Sequence, residues 1–212
     1  MSSSVSHPLF ARYYARFSHS LERGIARHRR AMLADLSGTV VEIGAGNGLN
    51  FAHYPPTVTR VIAVEPEAFL RGIAERAAAA APVPVTVVDG LAERLPVGDG
   101  ECDAAVASLV LCTVPDVPAA LAEITRVLKP GGSLRFLEHV RSPNPTRARA
   151  QRLLDATIWP RLGGGCHCGR DTAAAIRTAG FAIEQLTHLS TADTTMPFPA
   201  SPQILGTAIR PH

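Results

Sequence analysis

The sequence predicts a single α/β domain built on a mostly parallel sheet, and three observations predict it. Short β-branched runs alternate with helical stripes between residues 39 and 140, the first run ends in a glycine-rich turn, and 212 residues are enough for one core. From Pro8 to Leu36, the apolar residues Phe10, Tyr14, Phe17, Leu21, Ile25, Met32 and Leu36 recur at helical steps, with Arg12, Arg16, Arg23, Arg27 and Arg30 between them. Ser18-His19-Ser20 is expected to split this stretch into two helices. Thr39-Val40-Val41-Glu42-Ile43 reads as a buried strand feeding the turn Gly44-Ala45-Gly46-Asn47-Gly48. Val58 to Val64 and Val83 to Val88 are strand-like, and Glu67 to Ala80 between them is helical with Leu70, Ile73 and Ala77 inward. Asp103 to Leu109 is the next strand. Val117, Leu121, Ile124 and Leu128 mark a helix stopped by Pro130-Gly131-Gly132, and Leu134 to Val140 is a further strand. After Arg141 the rhythm changes to a helix over residues 145–162, another over Asp171 to Ala179, and two strands, Phe181 to His188 and Gln203 to Ile209, around a proline-bearing loop. Residues 1–37 thus read as an N-terminal helical lid, 38–141 as the ligand-binding core, and 142–212 as an insertion with the last two strands, all within one domain.

Composition excludes several classes. Charged residues make up 18% and apolar residues 46%, which excludes a disordered chain. All but one of the 21 basic residues are arginine, yet the net charge is only +3, so composition shows no nucleic-acid footprint. Cys102, Cys112, Cys166 and Cys168 are few for this length, and no charged start precedes an apolar signal segment, which implies a reduced, cytoplasmic protein. No apolar run approaches the roughly 18 residues of a membrane span. The arginine-rich N-terminal stretch leaves peripheral contact with an anionic membrane open. A lid with a solvated basic face is the simpler expectation.

The glycine turn carries the first chemistry. Glycines between strand and helix let the backbone approach a ligand, and the N–H groups there are free to bind it. Glu65 follows Gly44 by 21 residues at the end of the second strand, where a carboxylate accepts both hydroxyls of an adenosine ribose. Nicotinamide enzymes use the same turn and the same acid. Here, however, the glycines sit at 44, 46 and 48, and position 49 is leucine instead of the small residue that completes a pyrophosphate-binding turn. That spacing favours the neutral aminoacyl tail of S-adenosylmethionine.

The ordered set V-V-E-I-G-A-G-N-G, A-V-E-P, A-E-R-L-P, D-A-A-V-A-S-L-V-L-C-T-V-P-D and L-K-P-G-G-S-L-R-F-L-E-H-V resembles the motifs of class I S-adenosylmethionine-dependent methyltransferases. Four further segments resemble the small thiol methyltransferase branch of the methyltransferase-like proteins and its bacterial relatives. They are Asn50-Phe51-x-x-Tyr54-Pro55-Pro56, Leu109-Val110-Leu111-Cys112-Thr113-Val114, Phe136-Leu137-Glu138-His139-Val140 and Gly165-Cys166-His167-x-x-Arg170-Asp171-Thr172. The resemblance implies a Rossmann-like seven-stranded sheet of order 3-2-1-4-5-7-6 with strand 7 antiparallel. It also implies that Gly44, Ala45, Gly46 and Asn47 contact the methionine moiety with Glu42 nearby, that Glu65 and Pro66 flank the ribose, that Leu91 and Ala92 lie against adenine, and that Ser108 sits beside the sulfonium. Animal members begin with an apolar anchor where this sequence has Ser2-Ser3-Ser4, so membrane attachment is not carried over.

The acceptor side is read from apolar residues: Leu109, Val110 and Cys112 after the fourth strand, Trp159 in the insertion, and Met196, Pro197 and Phe198 in the late loop would suit a small uncharged acceptor. His139, ending the fifth strand, and His167 are the candidate bases. Strand alternation sends Glu138 to the face opposite His139. Cys166-His167-Cys168 lacks the usual zinc-cysteine spacing and a second ligand cluster, so no metal is expected. Arg170 and Asp171 are expected to cap the following helix or to join a local ion pair. The segment Ser108-Leu109-Val110-Leu111 differs from the N/D-P-P-Y/F/W run of base-methylating enzymes, which argues against a nucleic-acid substrate. The expected activity is methyl transfer to a small apolar acceptor, a thiol first. N- or C-methylation of a lipid headgroup, quinone or other metabolite is the alternative, and a non-catalytic S-adenosylmethionine binder is an alternative of another class.

Overall fold

The β-branched runs form the middle of a seven-stranded sheet of order β3-β2-β1-β4-β5-β7-β6. The strands are β1 (Gly38–Ile43), β2 (Val58–Val64), β3 (Val85–Val88), β4 (Cys102–Ser108), β5 (Leu128–His139), β6 (Ala182–Leu189) and β7 (Gln203–Ile209). In this computed structural model residues 8–212 are described, with the side chains of residues 8–9 and 19–23 left aside, so the Ser2-Ser3-Ser4 start and the side chains of Leu21 and Arg23 lie outside the described residues. β1 to β5 pair in parallel, and β7 runs antiparallel to both β5 and β6. The central strands are apolar along their length because both faces are covered, as parallel sheets require. One face packs Leu121, Ile124, Leu134, Phe136 and Ile176. The other packs Ile25, Leu33, Leu36, Phe51, Val61 and Val106.

The helices are α1 (Pro8–Leu33), α2 (Ala68–Ala78), α3 (Val117–Val127), α4 (Pro145–Asp155), α5 (Trp159–Leu162), α6 (Thr172–Thr178) and α7 (Thr191–Thr194). Asp116, Asn144 and Asp171 cap α3, α4 and α6 through side-chain oxygens that accept backbone N–H bonds. The sequence reading needs correction at four places, one being that Pro130-Gly131-Gly132 does not precede the strand predicted from Leu134 but lies within β5, which begins at Leu128 directly after α3. α1 is one continuous helix of 26 residues and is not divided at Ser18-His19-Ser20. Serine in a helix interior costs little, and buried Ser18 finds a partner in Asn47, whose Nδ2 donates to Ser18 Oγ at 2.9 Å. The predicted helix over 145–162 is two helices, separated where Ala156 closes α4 with N–H bonds to Arg152 and Leu154. The late proline-bearing loop contains the short α7.

Strand order reverses between β2-β1 and β4-β5, so the crevice at the carboxyl ends of β1 and β4 is the topological switch point where such sheets bind ligands. Among the described residues no helix is long and apolar enough to cross a membrane.

Candidate functional site

At that crevice the turn after β1 bends through three left-handed glycines, with φ of 63° at Gly44, 57° at Gly46 and 79° at Gly48. A Cβ on Gly44 would lie 2.5 Å from Val110 Cγ2, so the turn passes hard against the segment after β4. The lid lies over it: a Cβ on Gly46 would lie 3.4 Å from Tyr14 Cε1, and Ser18 holds the Asn47 side chain. Tyr14, Arg29, Glu42, Gly44, Ala45, Asn47, Leu49, Asn50 and Ser108 line one narrow cleft. Five of the predicted cofactor residues thus meet in a single cavity.

Its polar end is built around Glu42, buried at the end of β1. Asn50 Nδ2 donates to Glu42 Oε1 at 2.8 Å and Tyr54 OH to Oε2 at 2.7 Å. Burial pushes the Glu42 carboxyl up to about 7, against those two donors and the positive charge of Arg29. A carboxyl whose folded pKa is raised keeps its proton in the fold. Glu42 therefore contributes most to stability below its ordinary 4.5, and that contribution is lost as pH climbs through about 7.

Arg29 is the cleft-lining residue that sequence reasoning misses. It is 5% exposed, and its Nη1 donates to Asn50 Oδ1 at 2.9 Å and to Ser108 Oγ at 2.8 Å, which ties the lid to the ends of β1 and β4. The signal was present: Arg29 lies four residues after Ile25 and three before Met32, on the inward stripe of the helix. An arginine at that position cannot belong to the solvated basic face.

Glu65, at the end of β2, accepts from Gly46 N at 2.7 Å through Oε2 and from Glu67 N at 2.9 Å through Oε1. Burial raises its pKa, opposed by those two backbone donors. Arg71 Nη1 fixes the segment from behind by donating to the Glu65 and Pro66 carbonyls at 2.8 and 3.1 Å. Leu91 begins the short bridge to Arg94 after β3, and Ala92 packs with Ile43 and Val64. Pro66, Leu91 and Ala92 therefore stand on the flank of the crevice, outside the cavity that Glu42 and Ser108 share.

Beyond Ser108 the chain makes a tight turn with Leu109 at φ 61°, a strained conformation for a branched side chain. Glu138 holds that turn. Its Oε1 accepts from Val110 N and Leu111 N at 3.0 and 2.9 Å, and its Oε2 from Cys112 N at 3.0 Å. Desolvation raises the Glu138 pKa, opposed by those three donors. Strand alternation puts only one of Glu138 and His139 at this turn, but both reach it: Glu138 through the backbone of 110–112, His139 through the Cys112 thiol. The loop after α5 closes the other side. His167 N donates to the Cys112 carbonyl at 2.7 Å, and Arg170 Nη1 donates to the Leu111 and Val114 carbonyls at 2.7 and 2.8 Å. Arg170 is thus a clamp on the turn, whereas Asp171 caps α6 and pairs with Arg141 at 2.8 Å as expected.

Buried Cys112 and Met196 belong to the hydrophobic core on the α1 side of the sheet, together with Cys166 and Leu189, and half-buried Leu109 and Trp159 pack against that core. Pro197 and Phe198 do not join it. Both are exposed, Phe198 at 39%, so the expected contact through Phe198 is absent from the described structure. His139 is buried with Nδ1 against the Cys112 and Cys166 sulfurs, and its Nε2 has no hydrogen-bond partner among the described residues. His167 is half-buried, with Nδ1 2.8 Å from the Gly165 carbonyl and 3.4 Å from Arg170 Nη2.

A sheet of order 3-2-1-4-5-7-6 with its last strand reversed, a glycine turn at the switch point and a carboxylate at the end of β2 define the class I S-adenosylmethionine-dependent methyltransferases. Residues 41–136 match the family described as a methyltransferase domain. The fold is that of geranyl diphosphate methyltransferase in complex with GPP and sinefungin, with a TM-score of 0.71 at 18% identity over 91% of this chain and 79% of that one. The chain is 36% identical over 194 residues to thiol S-methyltransferase TMT1B of Rattus norvegicus, covering 85% of this chain and 76% of that protein. It is 33% identical over 194 residues to thiol S-methyltransferase TMT1A of Homo sapiens, covering 85% and 78%. The chain belongs to this family of S-adenosylmethionine-dependent methyltransferases.

Proposed function

We propose that the protein methylates a small apolar thiol, and that the acceptor enters beside Leu109, Cys112, Trp159 and Met196. The observation that carries this reading is the apolar turn directly after Ser108, where Val110 lies against Gly44 of the glycine loop and Leu109 and Cys112 join the core on the α1 side of the sheet. The names of the relatives point the same way. S-adenosylmethionine supplies an electrophilic methyl group on a sulfonium. A thiolate attacking it annihilates opposite charges, so a dry, low-dielectric pocket favours the transition state over the separated ions. The enzyme then supplies chiefly alignment, worth roughly 7 to 11 kcal/mol in well-oriented reactions.

The residues divide that task. Glu65 would hold the ribose hydroxyls, Leu91 and Ala92 would lie against adenine with Pro66 beside them, and Gly44, Ala45, Gly46 and Asn47 would bed the methionine moiety. Glu42 would face its ammonium, and Ser108, fixed by Arg29, would stand at the sulfonium. For the proton, His167 would serve as the acceptor, since a thiol with a pKa near 8.5 needs only a modest base. Four free cysteines support a reducing, cytoplasmic setting.

A carboxyl at about 7 that meets a cationic ammonium group is driven to ionise. Cofactor binding at pH 6 should therefore release a proton, and the release should fade above pH 8. Calorimetry in buffers of different ionisation enthalpy reads it, and Glu42→Gln should remove it. A pH-independent wild type would separate Glu42 from the ammonium group. Acceptor class is tested by formation of S-adenosylhomocysteine with hydrogen sulfide, small alkyl thiols, amines, phenols and phosphatidylethanolamine in one matched panel. Turnover with thiols alone is expected. Turnover confined to amines, phenols or the lipid would overturn the thiol, and cofactor binding with silence throughout would leave a non-catalytic binder.

A further inference from the structure

We propose that Cys112, His139 and Cys166 form a binding site for a thiophilic divalent cation, zinc by fit, with a fourth coordination position open to a small thiol. The three side chains come from separate parts of the fold: the turn after β4, the last residue of β5 and the loop after α5. His139 Nδ1 lies 3.5 Å from Cys112 Sγ and 3.3 Å from Cys166 Sγ, and the three donor atoms lie within 4.8 Å of one another. Tetrahedral zinc, with Zn–S of about 2.3 Å and Zn–N of about 2.0 Å, places sulfur and nitrogen about 3.5 Å apart along each edge. The two S···N edges are therefore almost at coordination length already. Thiolate and imidazole together select zinc over magnesium or calcium, which take oxygen ligands.

The arrangement is held from outside the trio, as metal sites are. The Cys112 backbone is gripped on both sides, its N–H by Glu138 Oε2 and its carbonyl by His167 N. Cys166 N donates to the Gly163 carbonyl at 3.1 Å. Ordinary packing explains the convergence poorly. Thiols are weak hydrogen-bond partners, and with Nε2 buried and unpartnered the His139 ring has only two sulfurs to hold it. A cation between those sulfurs and Nδ1 would replace two weak thiol contacts with coordination bonds, leaving the ring proton on Nε2. Sequence spacing alone conceals the site, because Cys166-x-Cys168 has no second cluster near it in the chain, and the fold brings the other two ligands from 27 and 54 residues away.

Cys168 Sγ lies 3.6 Å from Cys166 Sγ but outside the trio, and Asp155 carboxylate oxygens hold the N–H groups of Cys168 and Gly169. Three protein ligands with one position free is the pattern of reactive zinc sites, not of closed structural ones. Here Cys112 and Cys166 belong to an apolar core against which Leu109 and Trp159 pack, surroundings suited to a thiol whose sulfur would bind the metal as thiolate while its proton leaves to solvent. The choice of thiol as the fourth ligand rests on the function proposed above. The metal site does not.

Cobalt substitution tests both parts. The full chain, stripped with chelator and reloaded, should take one cobalt per chain and show thiolate-to-cobalt charge transfer with the intense visible bands of a four-coordinate site. Cys112→Ser, Cys166→Ser and His139→Ala should each weaken binding at least about tenfold, the loss that even an outer-shell change causes. Cys102→Ser, on β4 and outside the trio, and Cys168→Ser should bind as the wild type does. Zinc, but not magnesium, should raise the thermal midpoint of the unmodified protein, a readout that survives if a variant fails to fold. Absence of sulfur charge transfer, or undiminished binding by both Cys112→Ser and Cys166→Ser, would overturn the site. Adding a small alkyl thiol to the cobalt protein should shift the charge-transfer band. No shift, or metal loss in Cys168→Ser, would overturn the open position while leaving the methyltransferase reading intact, and failure of thiol turnover in a protein that binds cobalt as described would strike only that reading.

Discussion

Glu65→Ala should abolish measurable binding of S-adenosylmethionine. The carboxylate sits at the end of β2 with each oxygen already accepting one backbone N–H, from Gly46 at 2.7 Å and from Glu67 at 2.9 Å. Each oxygen keeps a second lone-pair direction, enough for one ribose hydroxyl apiece. Hydrogen bonds to a charged group contribute roughly 1.5 to 3 kcal/mol each, so losing two weakens affinity by about 100-fold or more. The alanine variant also frees Gly46 N and thus loosens the bed of the methionine moiety, which adds to the loss. Glu65→Gln separates the two effects, since its carbonyl oxygen still accepts while its amide faces a donor, and it should fall between. Titration calorimetry beside a thermal unfolding scan reads affinity and fold integrity together. Unchanged affinity in a folded Glu65→Ala would remove the ribose from this carboxylate.

Glu65 was legible in the sequence because its signal is local: a strand, a fixed interval and an acid. The same holds for the alternating strands and for the glycine turn, whose positive φ values follow from the need of the chain to reverse over a ligand. The paired antiparallel strands at the sheet edge were expected from resemblance, and β7 begins and ends where its apolar run does, at Gln203–Ile209. What escaped is non-local. Arg29 looked like one more basic residue among many until α1, unbroken at Ser18, laid its inward stripe on the cleft. Phe198 looked like an acceptor wall by composition, yet the loop turns its ring outward while Met196, two residues earlier, packs inward. Cys112, His139 and Cys166 are unremarkable in three distant segments and become a cluster only when the sheet sets β4 beside β5 and the loop after α5 folds over both. Period and spacing report on neighbours along the chain, whereas a site assembled from strand ends depends on register.

Register is also why Glu138→Ala should be the most damaging single change to the fold of the acceptor side. Glu138, fully buried on β5, pairs with Ile204 of β7 through the backbone while its side chain reaches to the turn after β4 and accepts from three consecutive N–H groups. No helix follows directly to satisfy those donors, and water is excluded: Leu111 and Cys112 have no exposed surface. Removing the carboxylate strands all three. A buried unsatisfied donor costs about 1 to 3 kcal/mol, and mutual relief as the turn relaxes brings the expected total to about 3 to 5 kcal/mol. For a domain of this size 1 kcal/mol moves the thermal midpoint by about 2 to 4 °C, so a fall of roughly 10 °C is expected. Glu138→Gln keeps the shape and one accepting oxygen but turns an NH₂ toward a third donor, and should lose about half as much. Turnover should drop further than cofactor affinity in both variants, because the turn carries strained Leu109 and Cys112 to the acceptor side while the glycine loop and Glu65 are anchored elsewhere. A Glu138→Ala protein that melts with the wild type would show that the turn after β4 holds its shape without the carboxylate. Equal losses in cofactor affinity and turnover would instead tie the turn to the cofactor side of the crevice.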